Sequence, residues 1–102
     1  MTNMYLLNAF SIQMVDTPCT VNFVEVQASE VPKNLISAIG HQDTANVLSS
    51  MLDMPVECNR VNVHLDKGSV AYVAQLMGGR LPEGSTTLPE GFKIKFLKVT
   101  VE

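Results

Sequence analysis

The chain has 102 residues, which suits one compact domain. Hydrophobic residues make up 46% of the sequence and charged residues 17%, so the chain can bury a core and disorder is excluded as its main state. The formal net charge of −3 argues against DNA or an anionic membrane as a partner, although a small anionic ligand held by local groups stays open.

Two β-strands are predicted in the first quarter of the chain. Residues 4–10 form a short apolar run that indicates a buried strand in a central position, and the run stops at Ser11. Turn residues at positions 16–18 precede residues 20–26, which show an approximate period of two. We expect a second strand there.

Two short helices are predicted next. A cap candidate, an early proline and apolar residues near helical spacing predict a helix over residues 29–40. A second N-cap signal at residues 42–44 and an apolar face that continues to Met54 predict another helix. We expect this second helix to begin just after His41.

Three further strands are predicted in the second half. Residues 60–65 alternate, with His64 outward, and a short turn joins them to residues 70–77 in a predicted hairpin. Residues 82–91 indicate a loop with room for one helical turn, and residues 94–101 a final strand. The order β-β-α-α-β-β-β predicts a single α/β domain with a mixed sheet of about five to six strands flanked by helices.

The expected cellular compartment follows from the absence of a membrane-spanning run and of a secretory signal. No apolar run approaches the roughly 18 residues of a membrane-spanning helix, and the start of the chain has no basic residue before its apolar stretch. Cys19 and Cys58 fit neither a CxxC pair nor a disulfide framework. We expect a cytoplasmic protein with both cysteines reduced and buried.

His41 is the first candidate for chemistry. It precedes a predicted helix, whose free backbone N–H groups can hold a phosphate next to the imidazole. Such a site suits acid–base work on a phosphodiester. A solvent-exposed turn histidine explains the same pattern, and spacing alone does not decide between the two.

Arg80 and Glu83 stand three residues apart after Gly78-Gly79, where glycines permit close backbone approach. The pair can bind a phosphate and orient a partner, or it can be a surface ion pair of little energetic value. Arg60 and Arg80 are the two arginines of the chain, and arginine suits bidentate phosphate contacts.

Several polar residues interrupt apolar strands or end them. Asn8 lies inside the first predicted strand, Ser11 ends it, and Gln75 lies in the strand of residues 70–77. Asn8 and Gln75 can line a ligand site, or their side-chain amides can simply satisfy neighbouring backbone groups. Ser11 marks a strand end, where the binding residues of open sheets often lie.

Other catalytic classes are disfavoured. The His and Cys residues offer no tight ligand pair, so no metal is expected. The sequence has no G-x-S-x-G elbow, Walker A motif or G-x-G-x-x-G motif, and we expect no cofactor.

Five segments, taken together and in order, resemble the viral type III anti-CRISPR ring nucleases, a family that also occurs as host enzymes in some bacteria and archaea. The segments are Tyr5-Leu6-Leu7-Asn8-Ala9-Phe10-Ser11, Ile39-Gly40-His41, Asn59-Arg60-Val61, Gln75 and Arg80-Leu81-Pro82-Glu83-Gly84. They span most of the chain.

The resemblance implies a homodimer that binds the second messenger cyclic tetra-adenylate across its subunit interface, cuts it without metal and so shuts off type III CRISPR signalling. It implies that His41 is the principal catalytic residue and that Arg80 and Glu83 assist it. The residues that it assigns to the ligand pocket are Asn8, Ser11, Gly40, Arg60 and Gln75.

General chemistry agrees with these roles. A ribose 2′-OH can attack the adjacent phosphodiester, and an imidazolium at His41 can protonate the departing 5′-oxygen. Arg80 can neutralise the developing charge, with Glu83 holding Arg80 or His41 in place. The alternatives are a non-catalytic protein that sequesters the cyclic nucleotide and a small viral interaction protein.

Overall fold

The computed structural model describes residues 4–102, which form one five-stranded sheet and one α-helix. Two single-turn 3-10 helices, Ile12–Met14 and Ala28–Glu30, lie in the connections. The bounds are β1 Tyr5–Leu7, β2 Val21–Val26, β3 Ile36–Ala38, α1 Gln42–Leu52, β4 Val70–Met77 and β5 Lys93–Val101.

The sheet is mixed, with strand order β2-β5-β4-β1-β3. β1 is parallel to both of its neighbours, β3 and β4, whereas β5 is antiparallel to β4 and β2. This confirms the mixed α/β sheet and the interior place of the first strand. The three parallel strands also end at the same edge of the sheet, which is where open sheets usually bind ligands.

A core lies on each face of the sheet because successive strand residues point to opposite sides. Leu6 and Leu7 are 2% and 1% exposed, and they belong to different apolar clusters. On the helix side, α1 packs Val47 and Leu48 against the sheet. Among residues 4–102 the other side carries no α-helix, and we call it the helix-free face; it is covered by residues that include Val15 and Leu65.

The helix predicted over residues 29–40 is wrong. Only Ala28–Glu30 forms a helical turn, and Ile36–Ala38 is β3. Short apolar runs fit either period. Here the extended form prevails because Ile36 and Ala38 pair with Tyr5 and Leu7 of β1. The second helix is confirmed, since α1 begins at Gln42, directly after His41.

The predicted hairpin of residues 60–65 with residues 70–77 is also wrong. The first segment forms no strand and has one isolated bridge, between Leu65 and Val15, where the Leu65 N–H donates to the Met14 carbonyl at 2.6 Å. β4 pairs along its whole length with β5 instead. The partner of β4 is therefore the following strand, beyond the loop of residues 78–92, and the alternation within residues 60–65 does not reveal this pairing.

Smaller expectations are corrected as well. β1 ends at Leu7, so Asn8 follows the first strand instead of lying inside it. Both cysteines are free, but Cys58 is exposed and Cys19 only half-buried, so the expected burial is wrong. Residues 82–91 contain no helix or strand, which confirms the loop without the helical turn that its sequence allowed. None of the helices among residues 4–102 has the length and apolar character needed to cross a membrane.

Candidate functional site

Most of the candidate residues meet at the edge where the three parallel strands end. Asn8 follows β1, Gly40 and His41 follow β3, and Arg80 follows β4 after two glycines. The register explains the convergence, since Leu7 at the end of β1 pairs with Ala38 at the end of β3.

The larger of two depressions at this edge, which we call the large cleft, has a volume of about 730 Å³. It opens on the helix side, because two of its lining residues, Leu76 and Leu81, belong to the apolar cluster packed under α1. Its lining comprises His41, Asp43, Thr44, Leu76, Gly79, Arg80, Leu81 and Glu83. The three residues predicted to be catalytic therefore lie around one cleft.

The second depression, which we call the small cleft, has a volume of about 260 Å³ and opens on the helix-free face. Its apolar wall includes Leu7, Ala38 and Met14, which pack on that side of the sheet. Its lining comprises Leu7, Asn8, Ala9, Ser11, Met14, Ala38, Gly40, His41, Arg60, Val61 and Val63. Four of the five residues predicted to bind the ligand are in this set.

His41 lines both clefts. It is the N-cap of α1, with φ −131° and ψ 130°, and its carbonyl accepts the Ala45 N–H at 3.0 Å. Its side chain makes no capping hydrogen bond, unlike the Ser, Thr, Asp or Asn that usually occupies this position. The exposed imidazole is therefore available to a ligand.

Arg80 and Glu83 are exposed in the loop that follows β4. Among residues 4–102, no hydrogen bond or ion pair engages the side chain of His41, Arg80 or Glu83. The alternative interpretation of Arg80 and Glu83 as a surface ion pair is therefore wrong for this conformation. All three groups keep their full hydrogen-bonding capacity for a ligand.

Arg60 is held beside the end of β3. Its Nη2 donates to the Gly40 carbonyl at 3.2 Å. The preceding residue, Asn59, anchors the segment: its N–H donates to the Ile39 carbonyl at 2.8 Å and its side-chain amide to the Ser37 carbonyl at 2.7 Å. The guanidinium has five N–H donors, so most of them are left for an anion in the small cleft.

Ser11 and Asn8 also line the small cleft. The Ser11 hydroxyl oxygen accepts the Gln13 N–H at 3.4 Å and so caps the 3-10 turn Ile12–Met14. Its O–H remains free to donate to a ligand. Ser11 therefore lines the small cleft and also caps a local turn.

Gln75 lines neither cleft. It is exposed, and its Nε2 donates to the Leu76 carbonyl at 3.1 Å. Because it lies two residues after Val73 on β4, it shares the helix-free face with that residue. The single chain does not bring Gln75 into the site.

Two residues of the large cleft escaped the sequence analysis, in which residues 42–44 served only as a helix-start signal. Thr44 is buried in the first turn of α1, and Asp43 is half-buried beside it. The Asp43 carboxylate accepts the Gly84 N–H at 3.2 Å, next to Glu83. The signal in the sequence that could have pointed to Asp43 is an acidic residue two positions after His41.

His64, predicted to lie outward, is half-exposed. Its Nε2 lies 3.2 Å from a carboxylate oxygen of Asp16 and 3.2 Å from one of Asp66. The two aspartates are highly exposed, and none of the three residues lines either cleft. The histidines of the chain therefore occupy different surroundings.

Comparison with known proteins places the chain among archaeal virus proteins. ORF117 of Acidianus two-tailed virus is 32% identical, over 93% of this chain and 92% of that protein. ORF116 of Acidianus filamentous virus 1 is 30% identical, over 84% of this chain and 78% of that protein. Both relatives are described as uncharacterized proteins.

A solved structure has the same fold. B116 of Sulfolobus turreted icosahedral virus superimposes with a TM-score of 0.80 at 28% identity, over 96% of this chain and 98% of that one. Residues 4–96 match the family described as STIV B116-like. The chain belongs to the STIV B116-like family of archaeal virus proteins.

Proposed function

We propose that this protein is a metal-independent ring nuclease. It cleaves cyclic tetra-adenylate to linear products with 2′,3′-cyclic phosphate ends and thereby switches off type III CRISPR signalling in the cytoplasm of the infected host. The observation that carries the proposal is the shared position of His41, which lines the large cleft with Arg80 and Glu83 and the small cleft with Arg60.

The charges of the two clefts support separate tasks. The small cleft is lined by Arg60, Asn8 and Ser11 and by no carboxylate, so it suits a phosphate group. The lining of the large cleft holds Arg80 together with two carboxylates, Glu83 and Asp43, which suits proton handling and charge stabilisation more than anion capture. A nucleotide bound across the edge of the sheet meets His41 between the two.

The proposed reaction uses the side chains of His41, Arg80 and Glu83, together with water. The ribose 2′-oxygen attacks the adjacent phosphorus and loses its proton to water, and a pentacoordinate phosphorane forms. The bond from phosphorus to the 5′-oxygen then breaks, and the His41 imidazolium gives that oxygen its proton. Arg80 stabilises the negative charge of the phosphorane, and Glu83 orients Arg80 or His41. Solvent reprotonates His41.

A homodimer is part of the proposal. The small cleft opens on the helix-free face, where large apolar side chains stay exposed in the single chain, including Phe23, Val61 and Met77 at close to half of their surface. A second copy on this face would bury these side chains. The two-fold axis would then present two His41 side chains to opposite phosphates of a ring that itself has two-fold symmetry.

The test is incubation of the purified protein with cyclic tetra-adenylate in EDTA, followed by chromatography and mass spectrometry. We expect linear products with cyclic phosphate ends from the unmodified chain. His41→Ala should lower the turnover rate by about 10²- to 10⁴-fold, as loss of a general acid does, with ligand binding largely kept.

His64→Ala is the matched control, because it removes the other histidine, which lines neither cleft. Full activity of His41→Ala would remove His41 from the mechanism. Binding without cleavage by the unmodified protein would identify a protein that sequesters the nucleotide. Absence of both binding and cleavage would overturn the proposal and favour an interaction protein.

A further inference from the structure

We infer that Asp43 is a positioning residue, which holds the Arg80–Glu83 segment against the start of α1 so that Glu83 and His41 face one cleft. The inference rests on the proposed function. It concerns a residue outside the expected catalytic set, and it starts from a single hydrogen bond, from the Gly84 N–H to the Asp43 carboxylate at 3.2 Å.

The segment needs external support because it has little structure of its own. Residues 78–92 form turns and bends without a helix or strand. The burial of Leu81 in the helix-side core, at 7% exposure, fixes the start of the loop. Beyond Leu81, two side chains of α1 hold the loop: Asp43 through Gly84, and Ser50, whose hydroxyl donates to the Thr86 carbonyl at 3.0 Å.

These two anchors lie on one face of the helix. Asp43 and Ser50 are seven residues apart, or close to two helical turns, so their side chains project in nearly the same direction. The loop therefore runs along α1 from its N-terminus towards its C-terminus, with Gly84 above the first turn and Thr86 further along.

Only the first anchor acts on the catalytic geometry. Gly84 follows Glu83 directly, and Asp43 is two residues after His41, so one hydrogen bond joins the two halves of the proposed machinery. Thr86 is three residues beyond Glu83 and lines neither cleft. Ser50 thus offers a matched control. It binds the same loop to the same helix, but its partner Thr86 is not next to a proposed catalytic residue.

The acceptor oxygen of Asp43, and not its charge, carries the positioning role. Asparagine at this position keeps an oxygen that can accept the Gly84 N–H, whereas alanine removes it. Loss of the negative charge also takes one carboxylate out of a cleft that faces an anionic ring. Asp43→Asn should therefore have a kcat close to that of the unmodified protein, and its KM should not be higher.

The experiment compares Asp43→Ala, Asp43→Asn and Ser50→Ala in steady-state cleavage of cyclic tetra-adenylate. We expect Asp43→Ala to lower kcat by about 10- to 100-fold with KM little changed, because misplaced catalytic groups slow chemistry more than binding. Asp43→Asn should recover most of kcat, and Ser50→Ala should keep it.

Hydrogen exchange of the Gly84 amide in the ligand-free protein provides a readout independent of activity. We expect faster exchange in Asp43→Ala alone. If the unmodified protein cleaves and Asp43→Ala matches it in kcat and in Gly84 exchange, the inference is overturned and the proposed function stands. If the unmodified protein does not cleave, the proposed function falls, and Gly84 exchange alone decides whether Asp43 holds the loop.

Discussion

The large cleft and the small cleft share His41 and differ in nearly every other respect. The lining of the large cleft holds two carboxylates besides its arginine, and the loop that carries Arg80 is hydrogen-bonded to α1 through Gly84 and Thr86. The small cleft has no carboxylate in its lining, and its Arg60 is fixed against the backbone of Gly40. The two clefts therefore open on opposite sides of the sheet and differ in charge, since one arginine shares its cleft with two carboxylates and the other, within the described part of the chain, with none.

The largest effect after loss of His41 is expected for Arg80→Ala. Among residues 4–102, Arg80 is the one arginine or lysine in the lining of the large cleft, so its removal should lower kcat by about 10²- to 10³-fold. Ligand affinity should change far less. Arg80→Lys keeps the charge and loses the planar fork, and an intermediate rate is expected from it. A loss confined to affinity would reverse the roles assigned to the two clefts.

Arg60→Ala should act on binding. Hydrogen bonds to charged groups contribute about 1.5–3 kcal/mol, which corresponds to a Kd for cyclic tetra-adenylate roughly 10- to 150-fold weaker. Calorimetric titration in the His41→Ala background measures this without consuming the ring. Lys67→Ala, which removes the same charge from an exposed turn, is the control. An unchanged Kd would take Arg60 out of the site.

The smallest effect is expected for Gly40→Ala. A Cβ at Gly40 would lie 3.5 Å from Arg60 Nε, an ordinary contact, and Gly40 is not among the residues with positive φ. The free energy of unfolding should change by no more than about 0.5 kcal/mol, and the Kd should stay close to that of the unmodified chain. A large loss of affinity would mean that the ligand approaches the Gly40 Cα more closely than Arg60 does.

Part of the site could be predicted from the sequence because its signals are local. The N-cap pattern after His41 predicted the start of α1, which places the imidazole at a helix N-terminus. The resemblance supplied His41, Arg80 and Glu83, and these residues do surround one cleft. Gln75 came from the same resemblance and lines neither cleft of the single chain.

Asp43 shows why the rest of the site was missed. Its sequence neighbours mark it only as a first-turn acidic residue, a common position for favourable interaction with the helix dipole. Its bond partner, Gly84, is 41 residues away and belongs to a loop without periodicity. Such a contact follows from how β4 and α1 are stacked, which no local pattern records.

The sequence by itself determined the elements whose signals lie within a few residues: β2 by alternation, β5 by its apolar run, α1 by its cap and apolar face, and the loop of residues 82–91 by glycine and proline. The tertiary structure decided that Ile36–Ala38 is a strand and that residues 60–65 are not. It also decided that three parallel strands end together and divide the candidate residues between two clefts around His41. The physical reason is that strand pairing joins residues distant in the chain, and short apolar runs take whichever conformation their distant partners stabilise.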